Sequence, residues 1–252
     1  MRYVDLSAPI TASPEGTPEH FRTEITRSSH SEGAAQARAL LGVGPELLRD
    51  GEGWATETIT RLGTHDTTHV DAPLHYNSRI AGQVAAAVDQ LPLEWFFGDG
   101  LCLDVTAMED GRAITPRDLD AALERAGRSI EPGNIVLLRT GRDRFYDAPD
   151  YMFRGPGVTP EATRVLYDRG VRVMGIDAWG WDAPLDRQAK EARQRGEAGV
   201  FWAAHQCGLS YAHIERLVNL GALPAAGFKV CCFLLRIEGG SAGPARVVAI
   251  VG

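Results

Sequence analysis

Five short apolar runs set the architecture: Leu101–Val105, Asn134–Arg139, Val171–Ile176, Phe228–Ile237 and Ala245–Val251. Their shortness, five to ten residues, and β-branched content favour strands. Helix openings stand between them. Thr115-Pro116 precedes Arg117–Ala126, and Thr159-Pro160 precedes Glu161–Arg169, with Gly170 placed as a stop. Strands alternating with helices predict parallel pairing, whereas the last two runs, joined by the glycine-rich stretch from Glu238 to Pro244, predict an antiparallel hairpin. The expected class is α/β, a single domain over 1–252 with a mixed sheet. Ala55–Leu62 reads as a further strand ending at Gly63. Residues 12–53, with Pro14, Gly16, Pro18, Gly33, Gly42, Gly44 and Gly51, read as an irregular arm around one short helix, Ala34–Leu41.

Charge narrows the partners. With 26 Lys+Arg against 33 Asp+Glu the net charge is −7, which leaves no basic footprint for phosphates, so nucleic acid is not an expected partner. No apolar run approaches the roughly 20 residues of a membrane span, so no membrane insertion is expected. The N-terminal segment has neither an apolar signal core nor a small-residue cleavage site, and the expected location is cytoplasmic. Cys102, Cys207, Cys231 and Cys232 lack metal-binding spacing and read as reduced thiols.

His65, His69 and His75 fall within eleven residues of each other, together with Asp66 and Asp71. Gly63, the threonines and Pro73 oppose a helix there, so the His65/His69 spacing is not a helical metal pair. In an extended chain His65, Thr67, His69 and Asp71 project from one face, converging two imidazoles and a carboxylate. Those are ligands for Zn²⁺, Mn²⁺ or Fe²⁺, and the lack of thiolates disfavours a structural zinc site. Pro73 ends the strand and lets His75 approach from beyond the ligands, where an acid or base belongs. His205 and Glu215 are a second candidate pair, the one His and one Glu that a binuclear site would need, and each also reads as an ordinary structural residue. His213 reads as an ordinary packed or surface residue.

Together these clusters resemble the cyclase family that includes the bacterial arylformamidases (kynurenine formamidases) and the isatin hydrolases. Its signature, His-x-Gly-Thr-His-x-Asp-x-Pro-x-His, is matched from His65 through His69, Asp71 and Pro73 to His75. Further matches are Tyr3–Ser7, Pro132–Gly141, Gly175–Asp177, Glu215–Leu220 and Ile237–Gly240. The resemblance implies a swivelling β/β/α fold and a homodimer or higher homo-oligomer whose N-terminal arm reaches its partner. It also implies His65, His69 and Asp71 as metal ligands with Asp71 bridging, His205 and Glu215 at a second metal position, and one or two Zn or Mn ions per chain. His75 is implied as general acid/base. Thr67 stands where the signature has glycine, putting a methyl and a hydroxyl toward the cavity without removing a ligand. The stretches Gly175–Pro184 and Phe201–His205 look most like an actinobacterial branch linked to aromatic polyketide and antibiotic biosynthesis.

Trp179, Trp181 and Trp202, with Tyr76, are candidate walls for a flat aromatic or poly-β-ketone substrate. In ring closure, metal-activated hydroxide or His75 removes a proton α to a ketone, and an aldol condensation with dehydration follows. In the alternative, the same groups hydrolyse an aryl formamide or lactam. The expected function is polyketide cyclisation, with the amide hydrolase as alternative and a metal-stabilised binding protein as the reading from another class.

Overall fold

The computed structural model describes residues 1–15, 17, 19 and 22–252; Gly16 and Pro18 of the predicted arm lie outside them. Contacts divide the chain into two compact units, Met1–Ala8 with Thr67–Gly252, and Pro9–Asp66.

In the smaller unit, β2 (Glu24–Ser28) pairs antiparallel with β3 (Thr56–Arg61), and α1 (His30–Leu41) runs between them; β1 (Arg2–Asp5) belongs to the larger unit. The helix is longer than the predicted Ala34–Leu41 because Ser29 caps it: the Glu32 amide donates to the Ser29 hydroxyl, and the Glu32 carboxylate accepts from the Ser29 amide at 2.6 Å. Gly33 is a close-approach position, since a Cβ there would lie 1.8 Å from the Trp54 carbonyl oxygen.

The larger unit continues with β4 (His69–Asp71), a single turn α2 (Pro73–Tyr76), and the two-residue strands β5 (Arg79–Ile80) and β6 (Gln83–Val84). Then come β7 (Phe97–Asp104), β8 (Ala113–Ile114), α3 (Pro116–Ala126), β9 (Ile135–Arg139), β10 (Gly157–Val158), α4 (Pro160–Asp168) and β11 (Val173–Ile176). The chain ends with α5 (Leu185–Arg195), β12 (Ala212–Glu215), β13 (Phe228–Cys231), β14 (Ala242–Pro244) and β15 (Val248–Val251). Nine strands form one mixed sheet in the order β1-β15-β13-β7-β9-β11-β12-β4-β14. The centre, β7-β9-β11-β12, is parallel, and both flanks are antiparallel. Each parallel step is bridged by a helix, as parallel neighbours require.

Sequence explains the caps. The Asp118 carboxylate accepts from both the amide and the hydroxyl of Thr115, and the Thr159 hydroxyl accepts from the Ala162 amide at 3.1 Å. Alternation splits the central strands between two cores. Val136 and Leu138 join Leu119, Leu123 and Leu166 of the helices, whereas Ile135 and Leu137 face Val70, Ile214 and Val230. Both faces are buried, as for parallel strands generally.

Three strand expectations are corrected. The strand predicted over Phe228–Ile237 stops at Cys231, where its registers with β7 and β15 both run out and the Cys232 amide turns to the Phe96 carbonyl. The predicted hairpin linker contains β14, which supplies the outer edge that β4 needs for its backbone hydrogen bonds. The extended stretch predicted through His65 covers only His69–Asp71. A turn closed by the Asp66 carboxylate on the Gly63 amide at 2.6 Å precedes it, so His65 and Thr67 do not continue the strand face.

Candidate metal centre

The centre of the site is a two-by-two pattern on one sheet face. β4 and β12 are antiparallel with Asp71 opposite His213 and His69 opposite Glu215. Residues two apart share a face, so all four side chains point the same way. His213 Nε2 donates to Asp71 Oδ2 at 3.0 Å and lies 3.2 Å from Glu215 Oε1; His69 Nε2 lies 3.2 Å from Asp71 Oδ1 and 3.7 Å from Glu215 Oε2. His205 enters from the loop after α5 and brings its Nε2 to 3.5 Å from Glu215 Oε1. One ligand atom each from Asp71, His205, His213 and Glu215 lies within 4.8 Å of the others, and all four residues are buried.

A surrounding layer sets which nitrogen faces the centre. His69 Nδ1 donates to the Thr67 carbonyl at 2.7 Å, and His205 Nδ1 donates to the Asp182 carboxylate, which also accepts from the Ala204 and His205 amides. Both rings therefore present Nε2 inward, the usual second-layer arrangement for metal-binding imidazoles. The Trp181 amide donates to Glu215 Oε1 at 2.7 Å. His213 is held between the rings of Tyr76 and Trp181, with centroids 5.6 and 5.8 Å away, and its Nδ1 has no hydrogen-bond partner among the described residues.

Burial opposes charge on His213, but its hydrogen bonds to Asp71 and Glu215 prevail and raise its pKa to about 9. Burial likewise pushes the Glu215 carboxyl up, and the His213 hydrogen bond outweighs it, holding Glu215 well below the usual carboxylate range. Burial drives the Tyr76 phenol far above its ordinary value; its hydroxyl donates to the Tyr211 carbonyl. A cluster of buried imidazoles and carboxylates that offset one another's charge, without thiolates, fits a divalent first-row cation.

His75, in α2, stands at the edge. Its side chain is 20% exposed and its Nε2 lies 3.9 Å from Asp71 Oδ2. Trp202 stacks on His205 at 4.9 Å with rings nearly parallel and meets His75 edge-on at 5.0 Å. Trp202 holds a left-handed φ of 61°, uncommon for a bulky residue and found at constrained sites. Trp181 is fully buried, its indole donating to Thr163. Thr67 is buried against Ala8 and Tyr146, and Trp179 is half-buried under the Arg216 guanidinium. His65 lies half-buried in the Pro9–Asp66 unit.

The larger unit thus brings together His69, Asp71, His75, His205 and Glu215. His213 and Asp182 are additions that sequence reasoning missed. The available signal was spacing: His213-x-Glu215 repeats the His69-x-Asp71 pattern.

The chain is similar to known proteins of one family. The Cyclase family model matches residues 4–183. Kynurenine formamidase of Salinibacter ruber is 33% identical over 190 residues, covering 75% of this chain and 76% of that protein. Kynurenine formamidase of Maricaulis maris is 31% identical over 189 residues, covering 74% and 77%. Isatin hydrolase A of Ralstonia solanacearum superposes with a TM-score of 0.72 at 26% identity over 100% of this chain and 92% of that one. A buried imidazole–carboxylate cluster on this mixed α/β sheet, with those relatives, leads to one conclusion: the chain is an enzyme and belongs to the cyclase family.

Proposed function

We propose that the protein is a metal-dependent amide hydrolase acting on a small aryl amide, of the formamidase or isatin-hydrolase kind. The observation that carries this reading is the four-residue donor cluster of Asp71, His205, His213 and Glu215, flanked by His69 and His75. The relatives' names favour hydrolysis over the expected polyketide ring closure, which gives way to its alternative.

Asp71, His205, His213 and Glu215 would hold the cation, with His69 beside them; N/O donors alone suit zinc or manganese. A divalent cation there supplies Lewis acidity toward the amide carbonyl and lowers the pKa of attacking water. Asp182 and the Thr67 carbonyl keep Nε2 of His205 and His69 aimed inward. His75, more exposed than the ligands, takes a proton of the attacking water and delivers it to the departing amine nitrogen, so that amide and water become carboxylic acid and amine, the acid then losing its proton. Trp202 spans both histidines and presents an aromatic wall that limits water.

The test is hydrolysis of an N-formyl arylamine and of a cyclic aryl amide by protein loaded with zinc or manganese. Turnover that chelator abolishes and added metal restores is expected. Absence of turnover on both amides, alongside ring closure of a poly-β-ketone, contradicts the reading.

A further inference from the structure

Arg142 and Arg216 are both largely buried, 7% and 9% exposed, yet only Arg142 is paired with a carboxylate among the described residues. Arg142 pairs with Asp110 at 2.8 Å and donates to the Thr140 and Met108 carbonyls, each at 2.6 Å. Arg216 has no carboxylate at ion-pair distance among the described residues. Its guanidinium lies 4.5 Å from the centre of the Trp179 ring, and its single side-chain hydrogen bond among the described residues is a long one, 3.5 Å from Nε to the Trp179 carbonyl. Neither terminal nitrogen is among the described atoms buried without a hydrogen-bond partner, so water reaches them, and an anion that displaces that water pairs a charge the chain leaves without a carboxylate.

Position strengthens the point. Arg216 directly follows Glu215 and holds a φ of 58°, a left-handed backbone that a glycine adopts freely and an arginine does not. The strained backbone is pinned, with the Arg216 amide donating to the Ala178 carbonyl at 3.0 Å and its carbonyl accepting from the Thr68 hydroxyl at 2.6 Å. The fixed turn lays the side chain on Trp179, one residue before Gly180, where a Cβ would sit 3.6 Å from Glu215 Oε1. With Cζ over the Trp179 ring and only Nε in a hydrogen bond, the terminal N–H groups are left for a ligand, and a guanidinium grips a carboxylate through two parallel hydrogen bonds. With a net charge of −7, the molecule has no general attraction for anions, so a local cation is what recognises one.

We propose that Arg216 is the anchor for a substrate carboxylate, which makes the preferred substrate an anionic aryl amide. The proposal rests on the amide-hydrolase reading, and its test separates the two. Metal-loaded wild type, Arg216→Gln and Arg216→Lys are assayed on 2-formamidobenzoate and formanilide, the same aryl formamide with and without a carboxylate. Wild type is expected to favour the anionic substrate by about tenfold or more in kcat/KM, mainly through KM. The ratio of the two kcat/KM values is expected to fall by about tenfold in Arg216→Gln, with Arg216→Lys restoring part of it. A ratio that Arg216→Gln leaves unchanged overturns the anchor and spares the hydrolase reading. If wild type cleaves neither formamide and no cyclic aryl amide either, the hydrolase reading fails on its own. Calorimetric titration of wild type and Arg216→Gln with 2-aminobenzoate, against aniline, then decides: selective loss of 2-aminobenzoate binding supports the anchor, and equal binding overturns it.

Discussion

Two neighbouring strand pairs of the same sheet have opposite chemistry. β9 and β11 carry Ile135–Arg139 and Val173–Ile176, apolar on both faces and buried throughout except at Arg139. β4 and β12 are as deeply buried, but every second residue is His, Asp or Glu. Burying four such groups costs several kcal/mol that hydrocarbon would not, so a strand pair of this kind is kept for its chemistry and not for stability. The apolar pair is the rigid neighbour that keeps the polar pair in register: β11 bonds β12 over Val173–Gly175.

This contrast can be broken on either side. His75→Ala is expected to lower kcat by about 10²- to 10⁴-fold while metal content stays as in wild type, measured by steady-state kinetics beside elemental analysis. Leu138→Ala, on the apolar pair, is expected to lower stability by about 2–5 kcal/mol in denaturant unfolding while metal affinity is retained. Asp182→Asn, which weakens the hold on His205, is expected to weaken metal affinity or activity by about 10- to 100-fold; an unchanged metal titration removes Asp182 from the orienting layer.

A smaller effect sharpens the comparison at the end of the apolar pair. Asp177, just past β11, accepts from the Thr140 amide and hydroxyl and the Gly141 amide, yet burial prevails and pushes its pKa up to about 6. A carboxyl raised above its unfolded value favours folding fully below about pH 4, and that contribution is lost as pH rises through 6. The difference in unfolding free energy between wild type and Asp177→Asn is therefore expected to change by on the order of 2 kcal/mol between pH 4 and 7, with wild type losing ground as pH rises.

How far the sequence reveals each region follows from range. The apolar pair is written locally as Ile135–Leu138 and Val173–Ile176, and the helix starts at Thr115 and Thr159 lie beside the residues that cap them. His69, Asp71 and His75 are legible for the same reason, being packed into a short segment. His213 is not, because its place depends on antiparallel register with Asp71, 142 residues away. β14 is hidden in a glycine-rich stretch whose Ala242, Gly243 and Pro244 carry no strand signal; they pair because β4 has an edge to fill. α5 is polar nearly all round, with only Gln188 buried, so it shows no apolar stripe to read. Arg216 draws interest only once its burial and its lack of a carboxylate are seen together.

The central claim is that the polar strand pair holds a divalent cation. Its most direct test is metal content per chain by elemental analysis after loading with zinc or manganese and desalting, for wild type beside Asp71→Ala. The account predicts about one or two equivalents in wild type and a loss of metal in the variant, since Asp71 faces both His69 and His213. A wild type that takes up no metal, or an Asp71→Ala protein that holds as much as wild type, contradicts it.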